Sequence, residues 1–373
     1  MLYIVSIVLL SSCFIYKKDR RLSSIIIIHL WLLMGWSNRN ADYQVHLRRF
    51  TEYASQGWQT EPLYTVLMCF FNTIGASYRM FLVCFAAFFL FVNYKYAKKY
   101  TKYIPFVMAL YFVFPLCMDA TMVRYTLASS VVSIGMISLL DEKDKKWLWK
   151  YIVAVIIATA IHGASILAMI FLCIRILDRR KIIAITSTGV LILSAGIGFV
   201  QKFSYRLASI SFLNLGAKIN IALNAARLNY TTYDCMRYIF KMIILFIILS
   251  VIYYLICGWE RKRGLTAKDN TSVRLIDNIF NMNIIVLLIL PLLIISPDLF
   301  RIQLYLMFTN YIGFAQYFEL KDQIGITVRK GTVTVISVCM VIFAISGLYL
   351  WVLGGPNLYT VFKPLFENNA LFY

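Results

Sequence analysis

Apolar runs recur along this chain from one end to the other, near 1–16, 22–36, 62–75, 77–95, 103–118, 122–140, 149–161, 163–177, 181–200, 237–258, 275–296, 299–318 and 330–352. A single soluble core has no use for so many. Inside a bilayer, only helices and closed barrels satisfy every backbone N–H and C=O. The runs are solid Ile, Leu, Val and Phe rather than alternating, which disfavours a barrel. The chain is 61% hydrophobic and 14% charged, against about 25% charged in a soluble domain. The fold class predicted is all-α: a polytopic membrane protein of about twelve transmembrane helices, some short or broken, since several runs fall below the roughly 20 residues of a straight span. Residues 1–373 read as one integral membrane domain.

The formal net charge of +20 would suggest nucleic acid in a soluble protein. Here Lys and Arg sit in short clusters between apolar runs, so they read as cytoplasmic loops meeting anionic membrane lipid, and no nucleic-acid partner is expected. The clusters Lys17 to Arg21, Lys95 to Lys102, Asp141 to Lys150, Arg175 to Lys181, Glu260 to Lys268 and Glu319 to Lys330 all fall on one side in a single arrangement. Both termini lie outside, 62–75 does not fully cross, and His162-Gly163 is an outer turn. Met1 to Tyr16 lacks a basic n-region and a small-residue cleavage site, and reads as a retained helix. The eight Cys show no CxxC pair or zinc spacing, so neither a metal site nor a disulfide framework is expected.

The outer face then carries loops near 37–61 and 201–237, the turns at Asp119 to Arg124, His162 and Ser296 to Arg301, and the tail from Gly354. Arg39, Arg48, Arg49, Arg124, Arg206, Arg227, Arg237 and Arg301 lie there, on the wrong side for positive-inside sorting. A strongly anionic outer ligand is one reason for them. Arg124 is either a snorkelling interfacial residue or a bidentate phosphate donor. Arg301 has the same two readings. Asp298 reads as part of a helix cap behind Ser296-Pro297. Glu61-Pro62 fits a helix start with an acid favoured by the macrodipole. His162 is a structural residue or a proton relay beside a flexible glycine. His29 and His46 read as packing and as a solvated loop. No Walker loop, nucleotide-binding GxGxxG or HExxH is present, so the chemistry is expected to be powered by the substrate itself.

Taken in order, these residues resemble the EpsG-like exopolysaccharide polymerases, relatives of the Wzy-type polymerases. The resemblance rests on Asp42-Tyr43, Glu61-Pro62-Leu63-Tyr64, Arg124 to Ala128, His162-Gly163-Ala164-Ser165, and Arg301 with Tyr305. Tyr125 stands where the family usually has Gln, and the small residues after His162 are in altered order. The resemblance implies a glycosyltransferase of the bacterial plasma membrane, multi-pass, with its active site facing outside. Donor and acceptor would both be polyprenyl-diphosphate-linked oligosaccharide repeats, joined into exopolysaccharide, capsule or O-antigen. No cofactor is implied. A chain-length regulator or other polysaccharide export proteins are the implied protein partners. Within that reading Arg124, Arg227 and Arg301 bind diphosphate, Asp42 or Glu61 is the general base, and His162 joins the arginines or relays a proton. Tyr43, Tyr64 and Tyr305 contact sugar. A flippase for lipid-linked oligosaccharides and an O-antigen-ligase-like transferase are the rival readings.

Overall fold

The computed structural model describes residues 2–52, 61–207, 231–261, 264, 270–324, 330–355 and 357–372. Among them there is no strand, and one isolated antiparallel bridge joins Ser37 to Asn369. The helices are α1 (Leu2–Ile15), α2 (Arg20–Gly35), α3 (Tyr43–Thr51), α4 (Pro62–Thr73), α5 (Tyr78–Tyr100), α6 (Ile104–Val113), α7 (Leu116–Thr121), α8 (Val123–Leu140), α9 (Trp147–Ile161), α10 (Cys173–Ile176), α11 (Arg179–Leu207), α12 (Thr232–Arg261), α13 (Thr271–Val286), α14 (Arg301–Ile324), α15 (Lys330–Leu348) and α16 (Lys363–Glu367). Tighter 3-10 segments span Gly163–Leu172, Leu287–Ile294 and Pro297–Phe300.

The chain is a helical membrane protein. Five stretches are long and apolar enough to cross a bilayer: Tyr78–Tyr100, Val123–Leu140, Tyr233–Glu260, Thr271–Ile294 and Gly331–Leu353. Leu2–Ile15, Ile104–Val113, Trp147–Ile161 and Gly163–Ile176 are shorter apolar helices. Five candidate spans of full length thus stand among the described residues, where the apolar runs predict about twelve. Part of the difference is length, because those four shorter helices fall below the reach of a straight span. The run near 103–118 stops being one helix at Phe114-Pro115, where proline supplies no N–H. The stretch 149–177 breaks at His162, which is extended (φ −147°, ψ 111°).

Helix α14 is the axis of the molecule. Every residue from Ile302 to Leu320 is buried, although Gln303, Thr309, Asn310, Gln316 and Glu319 are polar. Polar groups inside a membrane protein are tolerated when they face the bundle interior and are paired. Thr309 Oγ1 lies 3.0 Å from the Tyr96 hydroxyl, Asn310 and Asn283 exchange side-chain hydrogen bonds at 2.7 and 3.2 Å, and Gln316 donates to the Tyr100 carbonyl at 2.7 Å. Glycine lets neighbouring backbones approach. A Cβ on Gly135 of α8 would stand 2.9 Å from the Ala154 Cβ of α9, and one on Gly35 of α2 would stand 3.2 Å from the Val83 Cα of α5.

The expected outer loops are partly helical. The loop near 37–61 contains α3. The loop near 201–237 is narrower than its expected bounds, because α11 runs on to Leu207 and α12 begins at Thr232. Helix outlasts apolarity in α11, since residues such as Gln201 and Lys202 are good helix formers. Arg227 lies outside the described residues. The tail folds back toward the end of α2: Ala370 N–H donates to the Trp36 carbonyl, and Ala41 N–H to the Thr360 carbonyl, both at 2.9 Å. Arg79 reinforces that end by donating to the Gly35 and Ser37 carbonyls at 3.1 and 2.7 Å.

Candidate active site

Pro62 sits at the first turn of α4 and fixes where that helix starts, so Glu61 takes the N-cap position. The Glu61 side chain makes no cap hydrogen bond. It reaches two other elements instead. One carboxylate oxygen pairs with Arg124 Nη1, and the other lies 3.1 Å from His162 Nδ1. Arg124 occupies the first turn of α8 because α7 ends in a break at Met122. That break is held by Asp119, whose carboxylate accepts from the Tyr111 hydroxyl at 2.9 Å and whose backbone carbonyl accepts from Thr126 Oγ1 at 2.9 Å. His162 is the C-cap of α9. Residues far apart in sequence therefore converge on one carboxylate.

Arg301 opens α14 on the same side of the cluster. Its Nη2 donates to Asp298 at 3.1 Å, and its carbonyl accepts from the Tyr125 hydroxyl at 3.3 Å. The Tyr125 ring lies edge-on to His162 (6.2 Å) and against Tyr305 (4.9 Å). Ser296 is the N-cap of Pro297–Phe300, with Pro297 at its start and Asp298 in its first turn as the sequence predicts, but Ser296 makes no side-chain cap bond and Asp298 also pairs with Arg301. Asp42, in the turn before α3, lies within the fields of Arg301, Arg124, Arg49 and Asp298. Burial outweighs the three arginines and holds its pKa above the ordinary value. For Glu61 burial also works against the charge. The His162 hydrogen bond and Arg124 outweigh it and bring its pKa down to about 2.

Three buried polar atoms here have no hydrogen-bond partner among the described residues: His162 Nε2, Arg301 Nε and Asn40 Oδ1. Buried polar groups are nearly always paired, so each orphan calls for an explanation. Asn40 is anchored by its other end, donating to the Ala120 carbonyl at 3.3 Å.

The structure brings Asp42, Glu61, Arg124, His162 and Arg301 into one neighbourhood. The three tyrosines stand differently. Tyr64 is 1% exposed and its hydroxyl lies 3.3 Å from His46 Nδ1. Tyr305 is buried with its hydroxyl 2.7 Å from Ser165 Oγ. Tyr43 packs edge-on against Tyr78 at 5.4 Å and beneath Arg79. Arg237 pairs loosely with Asp234 one turn earlier at 4.0 Å, and Arg39 and Arg48 are exposed.

Sequence reasoning missed His46 and gave Arg49 no defined role. His46 is buried (3% exposed), not part of a solvated loop. Tyr43, His46 and Phe50 at i, i+3 and i+7 form the inward stripe of α3, a helical signal legible in principle. Arg49, on the same short helix, faces Arg124, Glu61 and Asp42.

Burial, then Arg124 and Arg49, lower the His46 pKa from 6.5 to about 3. The folded protein keeps this ring neutral where the unfolded chain protonates. The associated stability is present above pH 6.5 and is lost as pH falls toward about 3. Glu61 adds a loss that starts only near pH 4.5 and runs toward 2. Burial raises the Asp119 pKa to about 7, and that group works in the opposite direction over the same interval, so the His46 contribution is read by difference. The stability of the protein relative to His46→Gln in neutral detergent should fall between pH 6.5 and 4.5, by up to about 1.4 kcal/mol per pH unit. A difference that does not change with pH would assign the acid sensitivity to another group.

The family model described as the EpsG family matches residues 20–357. No curated protein and no solved structure matches the chain.

Proposed function

The chain belongs to the EpsG family, and from that premise we propose that it polymerises polyprenyl-diphosphate-linked oligosaccharide repeats on the outer face of the plasma membrane. Membership itself suggests an exopolysaccharide-polymerase role; the donor, the orientation and the residue roles are our reading. The basic ends of the helices face the cytoplasm, as in the twelve-span arrangement, and the Glu61 cluster faces outward.

The observation that carries the mechanism is the single side-chain bond of His162, made through Nδ1 to Glu61, with Nε2 left unpartnered among the described residues. Glu61 stays ionised, so it can only accept, and the proton of a neutral His162 sits on Nδ1. The lone pair then belongs to Nε2, the atom with no partner. His162 thus takes the proton of the acceptor hydroxyl, and Glu61 fixes the tautomer, as the carboxylate does in a Ser-His-Asp triad. The acceptor oxygen attacks the donor anomeric carbon as the bond from that carbon to the diphosphate oxygen breaks. Polyprenyl diphosphate leaves with the electron pair, and the anomeric centre inverts. Arg124 has N–H donors beyond the one given to Glu61, and Arg301 has its free Nε. These stabilise charge building on the leaving diphosphate. Arg227 is a third candidate for that role.

Cells lacking the protein test the assignment. Single lipid-linked repeats should accumulate on the outer leaflet while long polymer disappears. Repeats trapped on the inner leaflet would indicate a flippase, and normal polymer left on its lipid would indicate a ligase.

A further inference from the structure

The far ends of the same helices carry a second concave feature. Helix α5 starts at Tyr78, which packs on Tyr43 next to Asp42, and ends at Tyr100. At about 1.5 Å per residue its far end lies roughly 34 Å from the catalytic cluster. There a groove of about 710 Å³ opens between the start of α2, the end of α5 and α14. This is within the range of about 300–1,000 Å³ typical of small-ligand clefts. Lys18, Arg20, Lys98, Lys99 and Lys102 line it, with Glu319 as its carboxylate.

Ion pairing fixes part of this set. Lys18 pairs with Asp322, Lys99 with Asp141, and Lys102 lies 3.7 Å from both Glu319 and Asp322. Glu319 is buried, and its Oε1 accepts from Thr101 Oγ1 at 2.9 Å and from Lys102 N–H at 2.7 Å. Arg20 and Lys98 remain, exposed and with no carboxylate partner among the described residues; Lys98 rests over the Tyr94 ring at 5.6 Å. Three carboxylates offset three of the five cations, so the groove keeps a surplus carried by these two. The first turn of α2 forms one wall with Arg20 and Ser23, and the Asp19 carboxylate caps that turn by accepting from Leu22 N–H at 2.8 Å. Positive-inside sorting accounts for cations near this surface. It does not account for a concave polar groove whose neutralised lysines are tied back while two cations from different helices stay uncommitted.

We infer that this groove binds a phosphate-bearing anion, held between Arg20 of α2 and Lys98 of α5. The chemistry is shared by a phospholipid headgroup and by a soluble diphosphate, and the two sources are separable. Full-length protein is exchanged from phosphatidylcholine vesicles containing phosphatidylglycerol into neutral detergent, and the retained lipid is read by native mass spectrometry. In parallel, inorganic pyrophosphate is titrated into lipid-stripped Arg124→Ala/Arg301→Ala protein, so that the diphosphate site proposed above does not contribute. Retained phosphatidylglycerol identifies a lipid source, and pyrophosphate binding without lipid retention identifies a soluble one. The Arg20→Ala/Lys98→Ala double variant should weaken whichever binding occurs by about 30-fold, and Lys98→Arg should preserve it. Equal melting midpoints without ligand establish that the double variant is folded. Competition of pyrophosphate against lipid bound to the unmodified protein needs no variant at all. Binding of neither probe, or binding by the double variant as tight as the original, would overturn the site.

Discussion

Replacing His162 with alanine is expected to lower polymerisation by about 10²–10⁴-fold, the usual worth of a general acid–base group. Glu61→Gln should fall nearly as far, although it deletes no proton acceptor at the reacting atom. The carboxylate can only accept, so it enforces Nδ1–H on His162 at their 3.1 Å contact. An amide can also donate, which permits the other tautomer and removes the lone pair from Nε2. Because the two residues act as a unit, the double variant should be no worse than His162→Ala alone. Asp42→Asn separates the alternatives. Asp42 has the raised pKa of a potential base, but it is not aligned by a carboxylate. The histidine account predicts a smaller loss there than at His162. A loss at Asp42 with full activity in His162→Ala would transfer the base role.

The second large effect is expected at the guanidinium groups. Arg124→Ala and Arg301→Ala should each cost about 10²–10³ in rate, by comparison with other donors aimed at developing negative charge. Their secondary consequences differ. Arg124 is the ion-pair partner of Glu61, so its loss also loosens the carboxylate that holds His162. Arg301 pairs with Asp298, and its Nε is the orphan donor. Arg124→Lys should recover little of the loss, because one ammonium cannot serve a carboxylate and a diphosphate in the geometry of a planar fork. Rates are compared with melting midpoints, so that a folding defect is not mistaken for lost catalysis. Unchanged polymer yield and chain length in Arg124→Ala would remove this residue from the diphosphate site.

Much of the fold was legible because membrane helices announce themselves by composition. The apolar runs near 77–95 and 122–140 became α5 and α8, and the interruption at His162 is a true break. The apolar run near 299–318 fell within the buried axis α14, whose Gln303, Asn310 and Glu319 give no hint in sequence of the partners they find on other helices. Boundaries were less legible. α11 continues to Leu207 past the end of its apolar run, and α3 lies inside a stretch read as loop, since short polar helices carry little hydropathy signal. At the site, Glu61, Arg124, His162 and Arg301 were recognisable individually as charges or imidazoles in costly positions. What they do to one another was not. The Glu61–His162 contact spans 101 residues of sequence, and nothing local to either residue encodes it. His46 was hidden for a related reason: its burial depends on α3 packing against Tyr64 of α4.

The most direct measurement is polymerisation by the purified protein in vesicles, supplied with polyprenyl-diphosphate-linked repeats and no nucleotide. The account predicts a ladder of lipid-linked oligomers, one polyprenyl diphosphate released per new linkage, and its loss in His162→Ala. A ladder made equally well by that variant, or one formed only when a nucleotide sugar is added, would contradict it.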